Sequence, residues 1–289
     1  MVTLAGILWG PMGLFVRYFT AQGLDSLDIV FVRIFFSALF LAGIALVLQP
    51  KAYRIRWKDS WCFVGSGLVC IVFFTYFYFR TISLASLSVA AVLLYTSPVF
   101  VMFFSLLFFR EKLTAQKILA CGSALVGCMF VSGLLGNQSQ QILPIGLLTG
   151  ILSGITYALY SIFGTFALRK GYSSLTTTLY TFLFAVPGAM VLCDLPKVFQ
   201  VLTASWANFG MAILMALVTA AAPYVFYTLG LSKIDAGPAS IIASIEPVVA
   251  TVVGILVFAE PLTIYGAVGI LLVLSAIVLL NLPLKKRGN

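Results

Sequence analysis

Apolar residues along this chain fall into ten long runs divided by short polar breaks. The runs cover Val2–Phe19, Leu27–Leu48, Trp61–Phe79, Leu84–Phe109, Leu113–Leu134, Ile145–Ala167, Leu175–Leu192, Asn208–Leu229, Gly237–Phe258 and Leu262–Leu282. Each approaches the ~20 residues an α-helix needs to cross ~30 Å of hydrocarbon. The pattern therefore predicts ten transmembrane helices. A transmembrane β-barrel is excluded, because its strands would alternate apolar and polar residues. Only Arg80 to Ser83 separates the third run from the fourth, which predicts a tight hairpin there. The longest polar break runs from Gly136 to Pro144, near the midpoint, and holds Asn137, Gln138, Ser139, Gln140 and Gln141. It predicts a linker, 136–144, between a first unit, 1–135, and a second, 145–283, with a basic tail at 284–289.

The two units repeat. At an offset of 149 residues, Phe77 meets Phe226, Tyr78 meets Tyr227, Ser83 meets Ser232 and Ala90 meets Ala239. Pro98-Val99 meets Pro247-Val248, Phe109 meets Phe258, Glu111 meets Glu260, and Leu113-Thr114 meets Leu262-Thr263. Near the two starts, Gly6-Ile7-Leu8-Trp9-Gly10 is similar to Gly150-Ile151-Leu152-Ser153-Gly154. Matches at Pro, Glu and Thr in fixed order argue duplication over chance similarity of apolar helices. Five spans per unit is an odd number, so the second unit enters the membrane upside down relative to the first. Such inverted repeats hold their sites near the midplane, between the halves.

Charge sets the orientation. With the amino terminus inside, Lys51, Arg54, Arg56, Lys58, Arg110, Lys112, Lys117, Arg169, Lys170, Lys233, Lys285, Lys286 and Arg287 are inside. Arg17, Arg80 and Lys197 are outside, and Arg33 lies within a span. That bias predicts cytoplasmic termini and an extracytoplasmic linker. The apolar start runs on into a full span with no small-residue cleavage site, so no cleavable signal peptide is expected. The net charge of +9 sits in short loops, which excludes a nucleic-acid surface. Charged residues make up only 9%, against about 25% in soluble domains. There is no histidine, which removes His-based catalysis and His-containing metal sites. The cysteines, Cys62, Cys70, Cys121, Cys128 and Cys193, form no Cys-x-x-Cys pair and read as small hydrophobes. Neither metal nor cofactor is expected. No nucleotide-binding Gly-x-x-x-x-Gly-Lys loop is present, so ATP drive within this chain is not expected.

The motifs Tyr95-Thr96-Ser97-Pro98-Val99-Phe100, Arg110-Glu111-Lys112-Leu113-Thr114, Glu246-Pro247-Val248 and Glu260-Pro261-Leu262-Thr263 carry a resemblance, joined by Leu8-Trp9-Gly10 and Arg33. With them the chain resembles the drug/metabolite transporter superfamily, in its ten-helix EamA-like branch. The resemblance covers nearly the whole chain as two tandem units. It implies two five-helix bundles around a central cavity, alternating access, and substrates such as amino acids, amines, nucleosides and vitamins.

Among the acids, Asp25, Asp28, Asp59, Glu111, Asp194, Asp235 and Glu260 lie at span ends or in loops. Glu246 alone is deep in a run, about 14 Å in from Gly237 at helical rise. A carboxylate at that depth costs roughly 2.5–3.5 kcal/mol and so marks a candidate site. It reads either as counter-ion to a cationic group or proton carrier, or as a structural bond between helices. Ser97 is its repeat-mate and a candidate substrate contact. Arg33 is the candidate charge partner, or else an anchor that snorkels outward. Trp9, Tyr95, Tyr157, Tyr160 and Tyr224 are candidate substrate contacts, since aromatic faces hold organic cations at roughly 0.5–2 kcal/mol per ring; ordinary packing is the alternative. Ser153, Tyr157, Tyr160 and Gly164 share one helix face, which should turn from lipid. Pro11, Pro98 and Pro247 are candidate hinges. Gly6, Gly10 and Gly13 share a face suited to close helix packing.

These features predict a multi-pass secondary transporter in the plasma membrane, bacterial inner membrane in particular. It would move a small polar metabolite, an amino acid or organic amine, and act as a monomer or weak dimer, with the proton as a possible coupling ion. Three alternatives remain open from sequence. One is proton-coupled efflux of lipophilic cations. Another is a membrane enzyme on lipid-linked substrates, disfavoured by the missing histidine and the lack of clustered acids. The third is a non-transporting structural or regulatory membrane protein.

Overall fold

The computed structural model describes residues 1–85, 87–132, 143–259 and 261–282. Glu260, the predicted linker up to 142 and the tail 284–289 with Lys285, Lys286 and Arg287 lie outside the described residues. Within them the chain is helical, with no strand. Nine helices are long and apolar enough to span a membrane: α1 (Val2–Ala21), α2 (Ser26–Leu48), α3 (Trp57–Leu84), α4 (Val89–Phe109), α6 (Pro144–Arg169), α7 (Ser174–Leu192), α8 (Trp206–Leu231), α9 (Ala236–Phe258) and α10 (Ile264–Asn281). Between α4 and α6 lies the shorter apolar helix α5 (Ala115–Val131).

Two boundaries differ from the sequence pattern. Arg80 to Ser83 is not a link: α3 continues to Leu84 because this polar stretch lacks a helix breaker. An unpredicted helix, Leu195–Ala204, precedes α8. The side chain of Asp194 caps its N-terminus by accepting from Lys197 N at 3.2 Å. It has a buried edge at Val198 and an exposed one at Phe199, so it is amphipathic and too short to span.

Two pairs of corresponding helices run antiparallel. In the α5–α10 pair, Gln116 Nε2 donates to Leu279 O and Leu282 O, Ser123 Oγ donates to Leu272 O, and Gly127 lies against Gly269. In the α2–α7 pair, Asp28 at the start of α2 accepts from Asp194 N beyond the end of α7, and Ser173 before α7 donates to Gln49 after α2. The other main pairings match as well: α1 packs on α8 and α9, as α6 packs on α3 and α4. Substituting each helix by the one five places on returns the same set.

Local details recur at the repeat offset. α4 breaks at Tyr95–Thr96, between Leu87–Leu94 and Ser97–Phe109, and α9 breaks at Ser244–Ile245, between Ala236–Ala243 and Glu246–Phe258. Among the described residues, the two non-glycine ones with left-handed backbones, Arg110 (φ 55°) and Ala259 (φ 53°), end these helices 149 residues apart. Thr114 and Thr263 then cap α5 and α10 by accepting from Lys117 N and Gly266 N. α3 and α8 each carry a π-helical stretch, Gly65–Phe73 and Leu217–Ala221.

Glycines seat one unit on the other's break. A Cβ on Gly6 would lie 2.5 Å from Ile245 Cγ2, and one on Gly10 2.5 Å from Val249 Cγ1. A Cβ on Gly150 would overlap Leu93, and one on Gly154 would lie 2.8 Å from Leu93 O. Small residues permit this approach where packing, rather than water exclusion, joins helices. Gly13, expected on the same face, meets nothing within 4 Å and is exposed. The chain interruption at Gly10–Pro11 turns it away.

Candidate functional site

Glu246 opens the second half of broken helix α9, directly before Pro247, which needs no backbone donor at that position. It is half-buried and has no hydrogen bond or ion pair among the described residues. It lies within electrostatic range of Tyr78, Tyr95, Tyr157, Tyr224 and Cys128, and of Arg33. Its repeat-mate Ser97 is buried at the same point of α4. Pro98 and Pro247 both follow the breaks, in the first turn of the second half-helix, and Pro11 sits at the interruption of α1.

An enclosed aromatic slot is lined by Trp9, Cys70, Tyr157, Tyr160, Ser161, Tyr224 and Tyr227. Its free volume is about 10 Å³, room for one water. The central cavity implied by the resemblance is thus nearly closed, and the cause is ring packing. Trp9 meets Tyr224 edge-on at 5.3 Å and Tyr227 at 5.5 Å, and Tyr160 meets Tyr224 edge-on at 5.1 Å. Ser161 Oγ and Tyr227 Oη share a hydrogen bond of 2.7 Å, and Tyr160 Oη and Thr228 Oγ1 one of 3.2 Å. One helical turn further along lies a wide vestibule of about 620 Å³, lined by Glu111, Thr165, Arg169, Ser173, Leu231, Lys233 and Asp235 among others.

Arg33 does not reach outward from α2. Its Nη1 donates to Met12 Sδ at 3.5 Å, and its Nε is enclosed with no partner. Tyr224 stands in hydrogen-bonding reach of the Arg33 guanidinium, and Tyr157 and Tyr224 lie within range of both its charge and that of Glu246. Of the residues expected at the site, Trp9, Tyr157, Tyr160 and Tyr224 line one slot, and Arg33 and Glu246 lie outside its lining, within electrostatic range of Tyr157 and Tyr224. Tyr95 stands apart from the slot, packed with Ile245 beside Cys128, Val248 and Val273. Ser153 and Gly164, on the same face as Tyr157 and Tyr160, are buried as expected.

Sequence alone does not point to Cys70, Ser161 or Tyr78 as site residues. Tyr78 and Tyr227 are repeat-mates, and that match was the available signal. Cys70 and Ser161 gave none, because a small residue in an apolar helix looks the same on a packing face as on a slot.

A model of the EamA-like transporter family matches residues 1–133 and again 144–282. The chain belongs to the EamA-like transporter family. An uncharacterized transporter of Bacillus subtilis is 26% identical over 190 residues, 64% of this chain and 58% of that one. One from Archaeoglobus fulgidus is 30% identical over 180 residues, 62% of this chain and 60% of its own length. The match thus spans less than two thirds of these relatives. A solved crystal structure covers 97% of this chain and 95% of its own at a TM-score of 0.76; at 15% identity that likeness is one of fold. The family and the relatives carry the names of transporters, not of enzymes.

Proposed function

We propose that this EamA-family chain is a secondary transporter that moves a small polar metabolite, an amino acid or organic amine, across a bacterial cytoplasmic membrane. Residues 1–135 and 145–283 act as two oppositely inserted five-helix units, with both termini cytoplasmic. The antiparallel pairing of α5 with α10 and of α2 with α7 supports this arrangement. Each unit supplies the other's partner surface, so one chain suffices. The narrow slot with its wider vestibule fits a closed centre approached from one face.

One observation carries the reading: Glu246 stands unpartnered at the break of a membrane helix, within electrostatic range of Tyr157 in the aromatic slot. A broken helix places backbone and a charge at membrane depth only where they face protein or water. Transport requires the rings of Trp9, Tyr160, Tyr224 and Tyr227 to part, first toward one side and then the other. Pro11, Pro98 and Pro247 act as the hinges, since each already sits where its helix is interrupted.

The test is counterflow of radiolabelled amino acids and amines into proteoliposomes. Glu246→Gln should lower flux at least tenfold while the protein stays monodisperse, and undiminished flux would remove Glu246 from the mechanism. A second reading, proton-coupled efflux of lipophilic cations, draws on the same acid and ring set. Flux that rises with an imposed pH gradient and carries such cations would favour it.

A further inference from the structure

Two hollows of different character meet at the start of α7. One is the vestibule of about 620 Å³, with its charged and polar lining. The other is a groove of about 330 Å³ between α2, α7 and α8, walled by Leu41, Ile44, Leu217, Val225, Phe226 and Leu229. The π-helical stretch Leu217–Ala221 and the small side chains of Ala221 and Ala222 leave this wall recessed. Ile44 and Leu217 are exposed, so the groove opens on the apolar surface that meets lipid in a spanning protein. Its polar end is formed by Gln49, Ser173 and Ser174, and the two serines also line the vestibule. From Gln49 back to Leu41 the groove follows α2 for about 12 Å at helical rise.

Where the hollows meet, donors and positive charge stand without an anion. Ser173 Oγ accepts from Thr176 N and Ser173 O from Thr177 N, which leaves Ser174 N and Leu175 N without an acceptor among the described residues. The Ser174 side chain is 7% exposed, lines both hollows and has no hydrogen bond among the described residues. The acids of the vestibule are engaged: Glu111 accepts from Ala236 N, and Lys117 lies 3.7 Å from Glu111 and 3.1 Å from Asp235. Its bases are not. Lys233 has no ion pair among the described residues, and Arg169 has only the ring of Phe109, 4.3 Å away. The first unit closes the matching helix end with its own acids. Counting from the caps Asp25 and Ser173, Asp28 of α2 corresponds to Thr176 of α7. Asp25 accepts from Leu27 N and Asp28 N, and Asp28 meets Lys197 at 3.3 Å. The first turn of α7 holds no acid.

We infer that the start of α7 receives the phosphate of an anionic phospholipid, one acyl chain of which lies in the groove between α2 and α8. The phosphate accepts from Ser174 Oγ and the two open N–H groups, and Lys233 and Arg169 supply positive charge beside it. Basic pockets between membrane helices take anionic headgroups on the same principle. A free phosphate would leave the apolar groove empty, and a neutral chain would leave the donors unmet. A phospholipid fills both, because the two hollows join at serines that lie level with the end of α2, where headgroups sit. Ethanolamine would bring an ammonium of its own toward the two bases, so a headgroup without an amine, such as that of phosphatidylglycerol, fits better. The site is distinct from the aromatic slot and does not depend on what the chain transports.

The experiment takes the full chain, purified in detergent and stripped of lipid, into native mass spectrometry. Phosphatidylglycerol should be retained at least fivefold better than phosphatidylethanolamine with the same acyl chains. Lys233→Gln, a change at an exposed position, should remove most of that preference, and Ser174→Ala should lower retention of phosphatidylglycerol at least twofold. Inorganic phosphate and glycerol 3-phosphate should not displace the lipid. In nanodiscs, phosphatidylglycerol with a diazirine on its acyl chain should label peptides at 41–45 and 217–229 ahead of other lipid-facing segments. Equal retention of the two lipids overturns the inference, and so does a Lys233→Gln protein with an unchanged preference. Label spread evenly over the lipid-facing helices overturns it as well. Displacement by inorganic phosphate would mark a site for a free anion and overturn the lipid assignment. None of these outcomes bears on flux, so the transporter reading stands or falls separately.

Discussion

A Cβ on Gly154 would land 2.8 Å from Leu93 O and 2.9 Å from Thr96 Oγ1, both at the break of α4. The carbonyl is backbone and cannot swing aside. Gly154→Ala should therefore cost about 1–3 kcal/mol, the usual range for overpacking, read as a lower midpoint in detergent thermal unfolding. Gly13→Ala is the control: it meets nothing, and should be neutral or gain up to about 1 kcal/mol from helix propensity. An equal effect of the two would mean that α6 does not seat on the break. Sequence spacing could not separate these glycines, because it places residues on a face without saying whether a neighbour is there. Glu246 was legible for a different reason: an acid deep in an apolar run is costly wherever the fold puts it. The inward turn of Arg33 was not legible, since a long side chain two turns from a span end can point either way.

At the scale of elements, the same tyrosine clasp is built twice. On one face Tyr172 Oη donates to Asp59 at 2.8 Å, joining the end of α6 to the start of α3. On the other, Tyr18 Oη donates to Asn208 at 2.7 Å, joining the end of α1 to the start of α8, and positions 59 and 208 are again 149 apart. The first clasp is charged, with Lys170 at 2.5 Å and Arg56 at 2.8 Å from Asp59; the second is neutral. Hydrogen bonding to Asp59 raises the pKa of Lys170 above the usual lysine range. A raised folded value means that the contribution is complete below the ordinary lysine pKa and fades as pH climbs through the raised one. Asp59→Asn should thus speed amide exchange around residues 57–64 and 165–173 at neutral pH, while the Tyr18 end of α1 stays unchanged. Uniform exchange at both faces would contradict a local clasp. The antiparallel α5–α10 pair makes its own prediction. With Ser123 Oγ and Ser275 Oγ 3.1 Å apart, cysteines at both positions should form a cross-link detectable by peptide mass spectrometry. Failure under oxidising conditions would contradict that register. Long apolar runs made these elements legible, with α5 the shortest of them. The Leu195–Ala204 helix escaped because it is too short for a span and opens on Pro196 and Lys197, which read as a loop.

For the whole molecule, the repeat and the odd span count predict two oppositely inserted units, because insertion direction follows from counting. The state of the centre did not follow, since the same rings can pack on one another or line an open path. A native reporter sits among them: Cys70 lines the aromatic slot. With Cys62, Cys121, Cys128 and Cys193 replaced by alanine, Cys70 should be modified by a small membrane-impermeant thiol reagent added from either side of sealed vesicles. The rate should be slow from both sides, and a transported amino acid should slow it further. Alternating access predicts that two-sided, ligand-sensitive pattern. Labelling from one side only, or only after the protein is unfolded, would contradict it.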